Sequence, residues 1–160
     1  MGGTLVVFYS RTGTTRKAAE ALAQAGGWDL AEIVDEATRT GRRGPLRSVI
    51  ETLFRLKPRV RYLGHDPGLY DLVIIATPVW ASSIASPVRS FLTQYRVRLK
   101  RVAFLCTLMG SGAETAQKRF ASACSKVPID ALALSSSEVQ SGSHAARIES
   151  FARRLRAAAT

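Results

Sequence analysis

Six residues near the start of the chain, Ser10-Arg11-Thr12-Gly13-Thr14-Thr15, carry the clearest chemistry. Four hydroxyls, a glycine and a single cation lie just before an alanine-rich stretch of helical character. A helix N-terminus leaves backbone N–H groups unpaired and carries partial positive charge. A phosphate dianion satisfies both. The hydroxyls add neutral donors, and Gly13 lets the backbone approach closely. Arg11 either adds a charged phosphate contact or faces solvent. The same residues also read as an ordinary cluster of helix caps. A Gly-Lys-Ser/Thr ending is missing, so this is no P-loop, and Gly-x-Gly-x-x-Gly is absent too.

Two further segments have the composition of ligand loops. Thr77-Pro78-Val79-Trp80-Ala81-Ser82-Ser83-Ile84-Ala85-Ser86-Pro87 sets one tryptophan among small residues. Trp80 can stack on a flat aromatic ligand, and Ala81 and the serines let a ring approach the backbone. Thr107-Leu108-Met109-Gly110-Ser111-Gly112 can wall the polar edge of a ligand with its backbone. The plainer readings are a core tryptophan and a glycine-capped turn.

The surrounding elements must bring these loops together. Thr4–Tyr9 and Leu72–Thr77 are unbroken β-prone apolar runs, which fits strands covered on both faces. Trp28–Val34, Arg101–Cys106 and Ile129–Leu134 read as three more strands. Trp28, Leu30 and Glu32 form the alternating set of the first of these. Helices are expected over Thr15–Ala25, Pro87–Tyr95, Gly112–Cys124 and Ser143–Ala158. Ala18, Ala19, Leu22 and Ala23 form the inner stripe of the first. Ile148, Phe151, Ala152 and Leu155 form that of the last. Ser86 is its helix's expected N-cap, with Pro87 in the first turn. Alternating strands and helices imply right-handed crossovers and a parallel sheet. The expected architecture is an α/β doubly wound three-layer sandwich, with a five-stranded parallel sheet in the order 2-1-3-4-5. In that order strands 1 and 3 are neighbours at a topological switch point, where ligands bind at the strands' carboxyl ends.

The chain has 160 residues and is expected to form one domain over 1–160. A basic, partly helical insertion is expected at about 37–62, with Pro45–Leu56 as its helix. Eight cations from Arg39 to Arg61 stand against Glu51 alone, and they read as a solvated face. The formal net charge is +11, which attracts acidic proteins and anionic ligands. Nucleic acid is not expected as a partner, because no reading motif or interleaved aromatic series accompanies the charge. No apolar run approaches a membrane span, and the start reads without a signal peptide. Cys106 and Cys124 read as buried reduced thiols of a cytoplasmic protein. His65 and His144 read as structural.

Three segments in this order and spacing resemble the flavodoxin family. They are Ser-x-Thr-Gly-x-Thr at 10–15, the run Tyr70 to Trp80, and Pro87-Val88-Arg89-Ser90-Phe91-Leu92. The likeness is strongest to short, single-domain bacterial members. It implies FMN as cofactor. By it, Ser10, Thr12, Gly13, Thr14 and Thr15 hold the phosphate, with Arg11 beside them. Pro78, Val79, Trp80 and Ala81 line the isoalloxazine, and Thr107, Met109, Gly110 and Gly112 approach its pyrimidine side. The implied function is electron transfer through FMN to a redox partner protein or small acceptor. The alternatives are an NAD(P)H-dependent quinone or FMN reductase (or another flavin oxidoreductase of this fold) and a cofactor-free interaction module. Shuttling members are acidic around the flavin, whereas this chain is basic, which suits an acidic partner. The resemblance leaves monomer and dimer open.

Overall fold

The computed structural model describes residues 2–36 and 59–159. The expected helix Pro45–Leu56 and most of the basic insertion lie outside these residues.

The parallel sheet is built from β1 (Thr4–Phe8), β2 (Asp29–Asp35), β4 (Leu72–Trp80), β6 (Val102–Leu108) and β7 (Ala131–Ser135). β1 lies between β2 and β4, and β6 between β4 and β7, all parallel. In the numbering of the five expected strands this is the order 2-1-3-4-5. Two short antiparallel strands were not foreseen. β3 (Val60–Leu63) pairs β2 at the sheet edge, and β5 (Ser83–Ile84) folds back on β4. The end of the expected insertion is therefore a strand. Val60-Arg61-Tyr62-Leu63 is too short to announce itself by alternation, and its pairing with residues 32–35 is a long-range choice.

Helices cover both faces. On one, Val88, Phe91 and Leu92 of α2 (Ser86–Tyr95) and Ala116, Phe120 and Cys124 of α3 (Ala113–Cys124) meet Leu5, Val7, Val73, Ile75 and Phe104. On the other, Ala18, Ala19, Leu22 and Ala23 of α1 (Thr14–Gly26) meet Val6, Phe8, Ile74 and Leu105. The C-terminal helix α5 (Ala145–Ala159) joins them through Ile148, Phe151, Ala152 and Leu155. Successive residues of each central strand thus enter opposite cores. This is why those strands read as unbroken apolar runs.

Several expectations are corrected in detail. In β2 the buried set is Ala31, Ile33 and Asp35, not Leu30 and Glu32. Ala31 and Ile33 belong to the α2 side, while Glu32 on the other face pairs with Arg16. β4 runs on past Thr77 through Pro78 to Trp80. Proline gives no N–H to a ladder, which argues for a stop, but β6 continues beside it and pairs Pro78 with Thr107. Ser86 is the first residue of its helix rather than the cap, which is Ala85 without a side-chain bond. The expected C-terminal helix begins at Ala145 rather than Ser143, and a short helix α4 (Ser136–Ser141) precedes it. Ser135 and Glu138 form its capping box, the Ser-x-x-Glu signature of a helix start.

Both cysteines are buried and free, as expected. His65 is exposed in its turn. His144 is buried, its Nδ1 3.2 Å from the Glu138 carbonyl.

Candidate functional site

The carboxyl ends of β1, β4 and β6 lie side by side, so the three loops singled out in the sequence converge. Between them is a cleft of about 420 Å³, within the usual range for small-molecule sites. Its walls include Arg11, Thr12, Thr14 and Thr15 from the first loop and helix start. Pro78, Val79, Trp80 and Ala81 come from the end of β4, and Thr107 and Met109 from the third loop. Ten of the fourteen candidate residues therefore line one cavity.

The other four shape it from behind. The Ser10 hydroxyl accepts the Gly13 amide at 3.1 Å and closes the first loop on itself. Gly13, at φ 97°, is the N-cap of α1, a conformation that costs an L side chain about 1–2 kcal/mol. Gly110 is also left-handed and exposed. Gly112, at φ 107°, caps α3 so close to the second loop that a Cβ there would stand 2.6 Å from Ser82 Oγ. Two cleft residues were not among the candidates: Leu108, which the third loop includes, and Ser136, outside all three loops. Ser136 opens α4 and donates to the Leu108 carbonyl at 3.3 Å.

The helix starts differ in a way that bears on ligands. The N-terminus of α1 has no side-chain cap and no acidic residue in its first turn. At α4, by contrast, Glu138 accepts the Ser135 amide at 2.7 Å and the Arg147 guanidinium at 2.7 Å. These bonds hold the Glu138 carboxyl down at about 2, with the Ser135 amide the largest cause. So α4 carries its own anion, while α1 presents its first-turn amides, with Thr12, Thr14 and Thr15, to the cleft. That donor set fits a phosphate.

The opposite wall is aromatic and firmly braced. Trp80 is half-buried and meets Tyr9 edge-on, with ring centroids 6.2 Å apart. The turn after it carries two non-glycine residues at positive φ, Ala81 at 48° and Ser82 at 54°. Both central positions of a type I′ hairpin turn require this. The turn is held from the helix side, where Arg89 donates to Ser83 Oγ at 3.1 Å and to the Ile84 carbonyl at 3.2 Å. Thr77 Oγ1 accepts the Ala85 amide at 3.2 Å. Together a phosphate-fitting helix start and a fixed flat side chain make a site for an aromatic ring bearing a phosphate arm. FMN is of that class, and the residues present fit it.

The Arg11 guanidinium carbon lies 5.8 Å from the centroid of the Trp80 ring, so this side chain turns along the cleft instead of away into solvent. The Cys106 thiol, on β6 beneath the third loop, is pushed up to about 12 by burial. It belongs to the core and not to the site.

Known structures agree with this architecture. A flavoprotein from Lactobacillus acidophilus, crystallised in complex with FMN, is 26% identical, with 88% of this chain and 98% of that one covered and a TM-score of 0.70. A Bacteroides uniformis protein of the same fold is 22% identical over 95% of this chain and 98% of its own, with a TM-score of 0.76. An NADH:FMN oxidoreductase in its apo form shares the fold at 17% identity, covering 98% of this chain and 89% of its own, with a TM-score of 0.60. No curated protein sequence matches the chain. Residues 3–141 match the model of the flavodoxin family, and with the sheet order and the three converging loops already established, the chain belongs to that family.

Proposed function

We propose that the protein binds FMN in this cleft and transfers electrons through it. The observation that carries the proposal is the uncapped N-terminus of α1 facing the same cavity as Trp80. Thr12, Thr14, Thr15 and the first-turn amides of α1 would hold the phosphate. Pro78, Val79, Trp80 and Ala81 would line the ring, and Thr107, Leu108, Met109 and Ser136 would close the third side. Bound FMN supplies the electron-carrying chemistry. The chain's own part is to orient the ring, exclude water from the Trp80 wall and set the local charge. The flavoprotein from Lactobacillus acidophilus, a complex with FMN, supports this reading.

The exchange partner is a protein with an acidic docking face or a small acceptor, in keeping with a net charge of +11. Two buried, free thiols accord with a cytoplasmic setting.

A second reading is direct reduction of the flavin by NAD(P)H. It is favoured by the low third loop, where Met109 is 88% exposed and Gly110 bears no side chain, leaving room beside the cleft. The fold shared with an NADH:FMN oxidoreductase is consistent with it.

Titration of the apoprotein with FMN, followed by flavin fluorescence, tests the main proposal. Submicromolar quenching by FMN and far weaker binding of riboflavin are expected. No quenching by either would leave the fold as a cofactor-free interaction module. Adding NADPH to the loaded protein then separates the two readings. Rapid bleaching without a partner makes it a reductase, and a stable yellow colour over many minutes makes it a partner-dependent carrier.

A further inference from the structure

Among the described residues that line the cleft, one bears a charged side chain. It is Arg11, and no carboxylate lines the cleft among the described residues. Arg11 is half-buried, and its guanidinium lies over Trp80. Its backbone belongs to the phosphate loop, but its side chain reaches the aromatic wall. Phosphate recognition already has the neutral donors of Thr12, Thr14, Thr15 and the start of α1. Three carboxylates of the described residues are each already paired with another cation. Glu114 pairs with Lys118, Glu138 with Arg147, and Glu32 with Arg16.

A cation stationed at the ring wall acts on the ring's charge. Taking up two electrons and one proton converts neutral oxidised isoalloxazine into a reduced ring with one negative charge. In a partly desolvated cleft a fixed positive charge stabilises that product and leaves the neutral oxidised ring little affected. We infer that Arg11 sets the redox poise of the bound flavin, holding the reduced anionic ring more tightly than the oxidised one and so raising the midpoint potential. This rests on the FMN assignment above.

The test uses the FMN-loaded wild type, R11Q and R11K, reduced stepwise with dithionite against reference dyes. FMN and riboflavin affinities of the oxidised forms are measured in parallel. R11Q is expected to lose about tenfold in preference for reduced over oxidised flavin, a fall of about 30 mV for a two-electron couple. R11K, which keeps the charge, recovers most of the potential. The gap between wild type and R11Q narrows as salt rises, since the residue is half-exposed. An unchanged midpoint in R11Q overturns the inference. If FMN affinity then falls tenfold while riboflavin affinity holds, Arg11 is a phosphate ligand. If neither affinity moves, it is a solvent residue. A wild type that takes up no flavin overturns the FMN assignment itself, and that result is read before any variant is compared.

Discussion

Thr15 and Thr107 share a buried hydrogen bond, with their Oγ1 atoms 2.7 Å apart across 92 residues of sequence. Both are nearly inaccessible, at 2% and 3% exposure. The bond ties the first turn of α1 to the end of β6, and so fixes the spacing between two walls of the cleft. Thr15→Val keeps the shape but leaves the Thr107 hydroxyl without its partner. The expected cost is about 1–3 kcal/mol in urea unfolding, because an unpaired buried polar group loses its hydration uncompensated. The double variant T15V/T107V removes both hydroxyls, and its cost should fall short of the sum of the two single variants.

Thr12 and Thr14 line the cleft from the loop that faces the uncapped helix start. Thr12→Ala with Thr14→Ala should lower FMN affinity to about the weak level of riboflavin, whose own binding should stay as it was. Riboflavin has the ring but no phosphate, so the contrast reports on the phosphate contacts alone. Equal loss for both ligands would mean that these threonines serve the ring or the fold.

Ala81 stands at φ 48°, in a region that an L side chain enters at a cost of about 1–2 kcal/mol. Glycine pays nothing sterically there but loses more chain entropy on folding. Ala81→Gly should therefore stabilise the protein by up to about 1 kcal/mol, read as a higher urea midpoint at unchanged slope. A lower midpoint would show that the Ala81 methyl makes contacts worth more than the strain it causes. Gly112→Ala should act in the opposite sense, since it adds a strained φ and a clash with Ser82.

Glu138 is held at about 2, well below the ordinary glutamate range, first by the Ser135 amide and then by Arg147. A carboxyl depressed in the folded state stabilises it fully above the unfolded value, near 4.3, and the contribution is lost as pH falls toward 2. Unfolding measured from pH 5 to pH 2 should show stability falling through this window. Glu138→Gln should flatten that slope and lower stability at neutral pH. An unchanged slope would place the acid sensitivity in other carboxylates.

Much of the site was legible because its parts are local. The hydroxyl-rich stretch from Ser10 to Thr15, between an apolar run and an alanine-rich stripe, is a contiguous signal. Trp80 after Leu72–Thr77, and the glycines after Cys106, are contiguous signals too. Ser136 was missed although Ser135 and Glu138 spell a capping box, because a six-residue helix offers little periodicity beside the longer α5. The phase of β2 was misread because Leu30 and Glu32 look no less suited to one face than Ala31 and Ile33. Which face is covered depends on α2, which lies more than fifty residues further along the chain.

By itself the sequence determined the alternation of strands and helices, the apolar runs that make the sheet parallel and doubly covered, and the polar loop at the start of α1. These follow from backbone propensity, side-chain periodicity and the unpaired donors of a helix end, all set within a few residues. Only the tertiary structure decided that β3 would close the edge of β2 and that β4 would run through Pro78 beside Thr107. It also decided that Thr15 would meet Thr107, that Ser136 would enter the cleft and that Arg11 would lie over Trp80. Each is a contact between segments far apart in the chain. Their meeting depends on which strand ends become neighbours when both faces of the sheet are buried at once.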